Sequence, residues 1–217
     1  MKYSAILFDL DGTLLDTLED LADSMNTALA GLGLPTHPLA AYRFFVGDGV
    51  RNLVLRALPE PERQDERIVE AAITTMRAEY GRRWHNKTRP YDGIPDLLAS
   101  ARGRGLKLAI LSNKPHPATQ EVVAFFFRDF RFEAVLGARA GVAIKPDAGA
   151  ALGVAQSIGV PPAEFLYLGD TNTDMQTAVA SGMYPVGVLW GFREADELKA
   201  AGARALVRHP REVAELF

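Results

Sequence analysis

The sequence contains no cysteine among its 217 residues. Disulfide bonds, thiolate nucleophiles and metal sites built on thiolates are therefore excluded together. This absence is compatible with a reducing cytosol, and we expect a cytoplasmic protein. The chain also lacks any run that approaches the roughly 18 consecutive apolar residues of a membrane span. We therefore expect a soluble protein with no membrane partner.

Basic residues are not in excess, since 24 Lys and Arg stand against 27 Asp and Glu, a formal net charge of −3. A dedicated nucleic-acid-binding protein presents a basic surface. The charge balance therefore argues against a nucleic-acid partner and favours a small molecule. The aromatic run 125–127 predicts core packing, and an exposed part of it would offer a dimer face, so a monomer and a homodimer both stay open.

Short apolar segments alternate with helical patterns along most of the chain. Strands buried on both faces are predicted at 5–8, 106–111, 165–168 and 186–190, with a weaker fifth at 134–136. Helices are predicted at 95–103, 117–127, 146–158 and 174–181. This alternation predicts an α/β fold, a doubly wound parallel sheet of the Rossmann type.

The stretch between the first two predicted strands is far too long for a single crossover. Apolar residues recur there at helical spacing, and no strand pattern interrupts them. We therefore predict an all-helical cap subdomain, residues 16–86, inserted into a core formed by residues 1–15 and 87–217. The two chain crossings between the parts would suit a hinge.

Acidic residues follow the first strand and the strand at 165–168. Asp9 and Asp11 come directly after one, and Asp170 and Asp174 after the other. Carboxyl ends of parallel strands meet at one edge of a sheet, where these carboxylates would repel each other unless a cation lay among them. Oxygen ligands without cysteine or paired histidines favour Mg²⁺ over Zn²⁺.

Mg²⁺ commonly accompanies a phosphate group, and the chain offers residues that would face an anion. Ser112 and Asn113 follow the second strand, with a hydroxyl and backbone N–H groups. Lys145 directly precedes a helix that we expect Pro146 to open. A lone lysine before a helix is usually only solvated, so this signal depends on the others.

Taken in order, four segments resemble the motifs of the haloacid dehalogenase-like phosphohydrolase superfamily. They are Asp9-Leu-Asp-Gly-Thr13, Ser112-Asn113, Lys145-Pro146, and Gly169-Asp170 with Asp174. The resemblance spans nearly the whole chain, and it implies the core of that superfamily with a helical cap. The segments 42–50, 112–115 and 188–191 resemble its phosphoglycolate phosphatase branch.

The resemblance implies a role for each motif residue. Asp9 would be the nucleophile that forms an aspartyl-phosphate, and Mg²⁺ would be held by Asp9, Asp170 and the backbone carbonyl of Asp11. The phosphate-binding residues would be Thr13, Ser112, Asn113 and Lys145. Asp174 would lie next to the metal ligands or cap the following helix.

Two features separate branches of the superfamily. Asp11 is an acid two residues after the nucleophile, where it would protonate an alkoxide leaving group and then activate water. Related dehalogenases lack an acid there and related pumps carry lysine, so Asp11 favours a phosphatase. The predicted cap contains no lysine, so it lacks the Schiff-base residue of phosphonate-cleaving relatives.

The cap is expected to select the substrate. Arg43 and the turn at Gly47 occupy the segment that faces the active site in similar caps, and Arg43 would meet a substrate carboxylate by a two-pronged contact. A structural ion pair is the competing interpretation of Arg43.

The leading hypothesis is a Mg²⁺-dependent phosphomonoesterase acting on a small phosphorylated acid such as 2-phosphoglycolate. Its alternatives are a β-phosphoglucomutase-like phosphomutase, a pyrophosphatase or other sugar-phosphate phosphatase, and a non-catalytic regulatory protein.

Overall fold

The computed structural model of the protein describes residues 2–217. The chain divides into two compact units, one made of the residues up to Leu15 with Pro90–Phe217, the other of Asp16–Arg89. The helical unit ends at Arg89, three residues after the predicted end of the cap at residue 86. The backbone N–H groups of Lys87 and Thr88 donate to the Asp20 carboxylate, at 3.0 and 2.8 Å, and so bind this segment to the helical unit.

The strands follow the alternating pattern of the sequence. In chain order they are β1 (Ala5–Phe8), β2 (Leu15–Asp16), β3 (Arg89–Pro90), β4 (Lys107–Pro115), β5 (Ala134–Ala138), β6 (Phe165–Gly169), β7 (Tyr184–Val188) and β8 (Ala205–Val207). Six of them form one sheet in the order β5-β4-β1-β6-β7-β8, and every pairing in it is parallel. The predicted α/β fold is confirmed.

The described residues also form α-helices between the strands. They are α1 (Leu18–Gly31), α2 (Leu39–Phe45), α3 (Val50–Ala57), α4 (Glu66–Arg83), α5 (Ile94–Gly103), α6 (His116–Phe126), α7 (Gly149–Ile158), α8 (Asn172–Ser181), α9 (Ala195–Ala200) and α10 (Pro210–Val213). Within residues 2–217, no helix combines the length and the apolar character needed to cross a bilayer.

The central strand β1 is buried on both faces. Ala5 and Leu7 pack in a cluster with Val154 of α7 and Ala178 of α8, while Ile6 on the opposite face is also fully buried. Such covering by helices explains the continuous apolar run of the strand. The burial leaves only the strand ends for polar residues.

The register of the sheet determines where those ends lie. Phe8, the last residue of β1, is paired with Ile110 of β4 and Leu168 of β6. The segments that follow these three strands therefore leave the sheet at the same edge. Two of them begin with acidic side chains, at Asp9 and Asp170.

The predicted helix start at Pro146 is wrong, because α7 begins at Gly149. The residues between form a turn. The N–H of Asp147 donates to the carbonyl of Ile144 at 3.0 Å, and the carboxylate of Asp147 accepts from the N–H of Gly149 at 2.8 Å. Lys145 therefore does not directly precede a helix.

The elements that were not predicted are the strands β2, β3 and β8 and the helices α2, α9 and α10. β8 pairs with β7 and has three residues, so β8 is too short to give a distinct apolar run in the sequence. The seven residues of α2 carry only two helical turns. The predicted strand 186–190 instead spans Tyr184–Val188, so Trp190 lies in the loop after β7.

The unit Asp16–Arg89 is built from α1 to α4. Leu21 and Met25 of α1 and Val69 and Ile73 of α4 are buried in it. The carboxylate of Asp65 accepts from the N–H of Arg67 and caps α4. β2 and β3 form a separate two-stranded sheet.

Candidate active site

Three aspartates lie together beyond the carboxyl ends of β1 and β6. One carboxylate oxygen from each of Asp9, Asp170 and Asp174 lies within 4.8 Å of the others. Asp9 is 5% exposed, and the other two are fully buried. The sequence predicted that Asp9, Asp11, Asp170 and Asp174 would meet at this edge, and the structure groups the carboxylates of Asp9, Asp170 and Asp174.

Asp174 is held by the start of α8. The helix is capped by Thr171, whose hydroxyl donates to Asp174 Oδ2 at 2.6 Å while the N–H of Asp174 returns a bond to that hydroxyl. Gly169 permits this contact, because a Cβ there would lie 2.2 Å from the Cβ of Asp174. Thr171 is thus the N-cap, and Asp174 closes the capping box.

Lys145 supplies the positive charge inside this group. Its Nζ lies 2.7 Å from Asp9 Oδ1 and 2.7 Å from Asp174 Oδ1. Burial alone would lower the pKa of Lys145, but the carboxylates of Asp174 and Asp9 raise it well above its ordinary value. Lys145 is therefore a permanent cation that two acids share.

Asn113 fixes the position of Lys145. Its side-chain oxygen accepts from the N–H of Lys145 at 2.9 Å, and its amide nitrogen donates to the carbonyl of Lys145 at 3.1 Å. Lys145 is therefore positioned by these two hydrogen bonds and not, as the sequence predicted, by the start of a helix. The sequence also predicted that the backbone N–H of Asn113 contacts an anion, and this contact stays a prediction.

One lysine does not balance three buried carboxylates. Burial, followed by repulsion from Asp174, raises the pKa of Asp9 well above its ordinary value. The same two causes raise the pKa of Asp170 to about 7. Clustered carboxylate oxygens with excess negative charge are the donor set of a hard divalent cation. The residues present therefore fit such an ion.

Asp170 is held through both of its oxygens. The Thr13 hydroxyl donates to Oδ1 at 3.0 Å, and the N–H of Phe192 donates to Oδ2 at 2.8 Å. The resemblance implied a phosphate contact for Thr13. In the structure the Thr13 side chain, which lies in the turn after β1, orients the aspartate that directly follows the neighbouring strand β6.

The loop after β7 is a part of the site to which we assigned no role from sequence. The indole N–H of Trp190 donates to the carbonyl of Thr13 at 2.9 Å. A Cβ on Gly191 would lie 2.3 Å from the Cβ of Asp170 and 2.4 Å from the carbonyl oxygen of Gly12. The only sequence signal was the family resemblance of the segment 188–191.

We expect Gly191→Ala to weaken divalent-cation binding, because a methyl group there has to displace Asp170 or the turn after β1. The dissociation constant for Mg²⁺, measured by titration calorimetry on metal-free protein, should rise about 10-fold or more. Gly81→Ala is the matched control, since a Cβ on Gly81 meets nothing within 4 Å. A folded Gly191→Ala variant with unchanged Mg²⁺ affinity would contradict the positioning role of the loop.

Ser112 lies at the end of the apolar part of β4 and is almost fully buried. With Asn113 and Lys145 it lines a cavity of about 180 Å³, whose other walls include Val142 and Ile144. The structure therefore brings three of the predicted phosphate-binding residues to one cavity.

The side chain of Asp11 is not among the three clustered acids. Both of its oxygens lie 2.8 Å from Nζ of Lys114. The predicted metal contact of Asp11 used its backbone carbonyl, and that contact stays a prediction. No role was assigned to Lys114 from sequence, although it stands next to the predicted anion-binding pair 112–113.

The predicted substrate-selecting residues lie in the helical unit. Arg43 is in the last turn of α2 and is partly exposed, and Gly47 follows with a φ of +127°. Beside them, Arg56 forms an ion pair with Asp48 and donates to the carbonyl of Phe45 at 3.1 Å. The substrate contacts of Arg43 and Gly47 stay predictions.

Comparison with known proteins places this site in a family. Residues 6–188 match the model of the haloacid dehalogenase-like hydrolases. A phosphoglycolate phosphatase of Haemophilus influenzae is 34% identical over 196 residues, which cover 88% of each chain. One of Psychrobacter arcticus is 31% identical over 205 residues, which cover 92% of this chain and 89% of the relative.

Solved structures agree with this assignment. A crystal structure from Lactobacillus delbrueckii has a TM-score of 0.92 with 32% identity and covers 100% of this chain and 98% of its own. A predicted phosphoglycolate phosphatase of Haemophilus somnus has a TM-score of 0.91 with 26% identity at the same coverage. The chain therefore belongs to the haloacid dehalogenase-like hydrolases, in the branch that resembles phosphoglycolate phosphatases, and it is an enzyme of that family.

Proposed function

We propose that the protein is a Mg²⁺-dependent phosphomonoester hydrolase that acts through an aspartyl-phosphate on Asp9. The observation that carries the proposal is the buried group of Asp9, Asp170 and Asp174 with Lys145 between two of them. This group combines a nucleophile, a cation site and a fixed positive charge. Phosphoryl transfer depends on that combination, since it requires alignment and charge neutralisation above all.

Asp9 is the proposed nucleophile because it lies at the end of the central strand with one oxygen held. Lys145 binds Oδ1, which orients the carboxylate and offsets part of its charge as a dianionic phosphate approaches. Attack of Asp9 on phosphorus forms the acyl phosphate and breaks the bond to the leaving oxygen. Attack of water on that phosphorus then releases inorganic phosphate and restores Asp9.

The proposed cation ligands are Asp9, Asp170 and the backbone carbonyl of Asp11. Bound there, Mg²⁺ would supply charge neutralisation between the nucleophile and the phosphoryl oxygens. Asp174 keeps Lys145 in place and adds negative charge to the cation site. Thr13 and Phe192 hold Asp170 in the orientation that the site requires.

Asp11 is the proposed general acid and base. A phosphate ester of an aliphatic alcohol expels an alkoxide, which needs a proton as the ester bond breaks. Asp11 would donate that proton and then take one from the water that attacks the acyl phosphate. Its carboxylate lies outside the three clustered acids and is held by Lys114 instead.

The proposed substrate is a small phosphorylated acid, with 2-phosphoglycolate as the leading candidate. The relatives at 31–34% identity that cover most of this chain are phosphoglycolate phosphatases. In the proposal, Arg43 of the helical unit meets the substrate carboxylate, and Ser112 and the backbone of Asn113 meet the phosphate.

A panel of phosphorylated metabolites tests the proposal, with kcat/KM measured by phosphate release. We expect 2-phosphoglycolate to exceed sugar phosphates, nucleotides and pyrophosphate by about 10-fold or more. EDTA should abolish the activity and Mg²⁺ should restore it. Activity indifferent to both reagents would contradict the cation site. Formation of a sugar phosphate isomer with a bisphosphate primer, in place of free phosphate, would identify a phosphomutase.

A further inference from the structure

We propose that Lys114 is a positioning residue for Asp11. In this proposal its ammonium group holds both carboxylate oxygens and so orients Asp11 toward the leaving group of the substrate. The inference rests on the proposed function, because it needs Asp11 to act as the general acid.

The contact between the two side chains is symmetric and enclosed. Nζ of Lys114 lies 2.8 Å from each oxygen of Asp11, and the two side chains are 5% and 15% exposed. The ion pair between Arg51 and Glu66 shows the contrast, since its side chains are 49% and 65% exposed. Solvent and salt screen an exposed pair and leave its side chains mobile, but an enclosed pair keeps its geometry.

The backbone of Lys114 is itself fixed. Its N–H donates to Ser112 Oγ at 3.2 Å, and its carbonyl accepts from the Thr119 hydroxyl at 3.1 Å. The neighbouring strand approaches so closely that a Cβ on Gly137 would lie 2.5 Å from the same carbonyl. Nζ therefore starts from a rigid part of the sheet, as precise positioning of a catalytic group demands.

The two lysines of the site bind different acids. Lys145 binds Asp9 and Asp174, whereas Lys114 binds Asp11. Asp11 is only two residues from Asp9, so a carboxylate without its own cation would be repelled by the acidic group beside it. Loss of Lys114 should therefore turn Asp11 away from its working orientation and leave the nucleophile in place.

The test compares two leaving groups, using kcat/KM because it includes the step in which the leaving group departs. We expect Lys114→Met to lower kcat/KM for 2-phosphoglycolate about 100-fold. For p-nitrophenyl phosphate, whose leaving group departs without a proton, the loss should stay below about 3-fold. Asp11→Asn should show the same selectivity. The double variant should lose no more than Asp11→Asn alone, because both changes remove one function.

Two further variants keep the comparison interpretable. Lys114→Arg retains a cation and should recover part of the lost activity on 2-phosphoglycolate. Lys107→Met changes an exposed lysine of the same strand and should match the unchanged protein. If Lys114→Met does not fold, Lys114→Gln undergoes the same measurements.

The outcomes separate this inference from the proposed function. The positioning role is wrong if the Lys114 variants lose kcat/KM equally on both substrates, or on neither. In that case an Asp11→Asn variant that still loses activity selectively on 2-phosphoglycolate would leave the general acid assignment intact. Additive losses in the double variant would overturn the positioning role as well. A non-selective Asp11→Asn would remove the acid assignment and, with it, this inference.

Discussion

Asp9→Asn should lower kcat for phosphate release about 10⁴-fold or more, because an amide oxygen does not form the acyl phosphate. The substitution keeps the shape of the side chain. It also removes one charge from a group in which burial and Asp174 already raise the pKa of Asp9. The folded protein should therefore be at least as stable as before, and its melting temperature should not fall.

Asp129→Asn is the control for this variant, since the carboxylate of Asp129 is 85% exposed and lies in no acidic group. It should leave kcat unchanged. Phosphate release that survives unchanged in Asp9→Asn would contradict the enzyme mechanism, and a regulatory protein with this fold would then be the better account.

Lys145→Met should damage both stability and catalysis. Removing the lysine leaves Asp9 and Asp174 buried without the cation that they share, which should lower the free energy of unfolding by about 3 kcal/mol or more in the absence of divalent ions. The phosphate would also lose a fixed positive charge, so kcat/KM should fall about 100-fold or more. Urea unfolding and phosphate release measure the two effects.

The stability loss should depend on pH. The folded-state pKa of Asp170 is about 7 against an ordinary value of 3.8, so between these values the folded protein binds a proton that the unfolded chain has released. Stability from this group therefore falls as the pH rises through that window. Without Lys145 the pKa of Asp9 also loses the lowering that the lysine supplies, so the variant should lose more stability at pH 8 than at pH 6.

Lys199→Met provides the matched control, because this lysine side chain is 62% exposed and its ion pair with Asp196 spans 3.9 Å. It should change neither stability nor activity measurably. A Lys145→Met variant as stable as the control at pH 8 without divalent ions would show that Lys145 does not offset the buried acids.

The convergence of Asp9 and Asp170 was predictable because it requires only that the two strands are parallel and belong to one sheet. Each strand is a short apolar run with an acid directly after it, and the carboxyl ends of such strands meet at one edge. The same logic placed Ser112 directly after the second strand, but β4 runs on to Pro115, so Ser112 lies within the strand. These predictions used local patterns and one general rule of sheet topology.

The remaining contacts depend on tertiary structure that no local pattern encodes. The pairing of Lys114 with Asp11 joins residues 103 positions apart, and the approach of Gly191 to Asp170 joins two different loops. The helix expected to begin at Pro146 begins at Gly149, because the residues before it form a turn in which the carboxylate of Asp147 accepts from the N–H of Gly149. Lys145 reaches the acids through its bonds to Asn113 instead.

The most direct measurement is the identification of a phosphoryl group on Asp9 during turnover. The enzyme with Mg²⁺ and 2-phosphoglycolate would be quenched rapidly, treated with borohydride, digested and analysed by mass spectrometry. The account predicts conversion of Asp9 to homoserine through reduction of its acyl phosphate, and no such product from Asp9→Asn. Trapping at a different residue, or turnover with no trapped intermediate at any quench time, would contradict it.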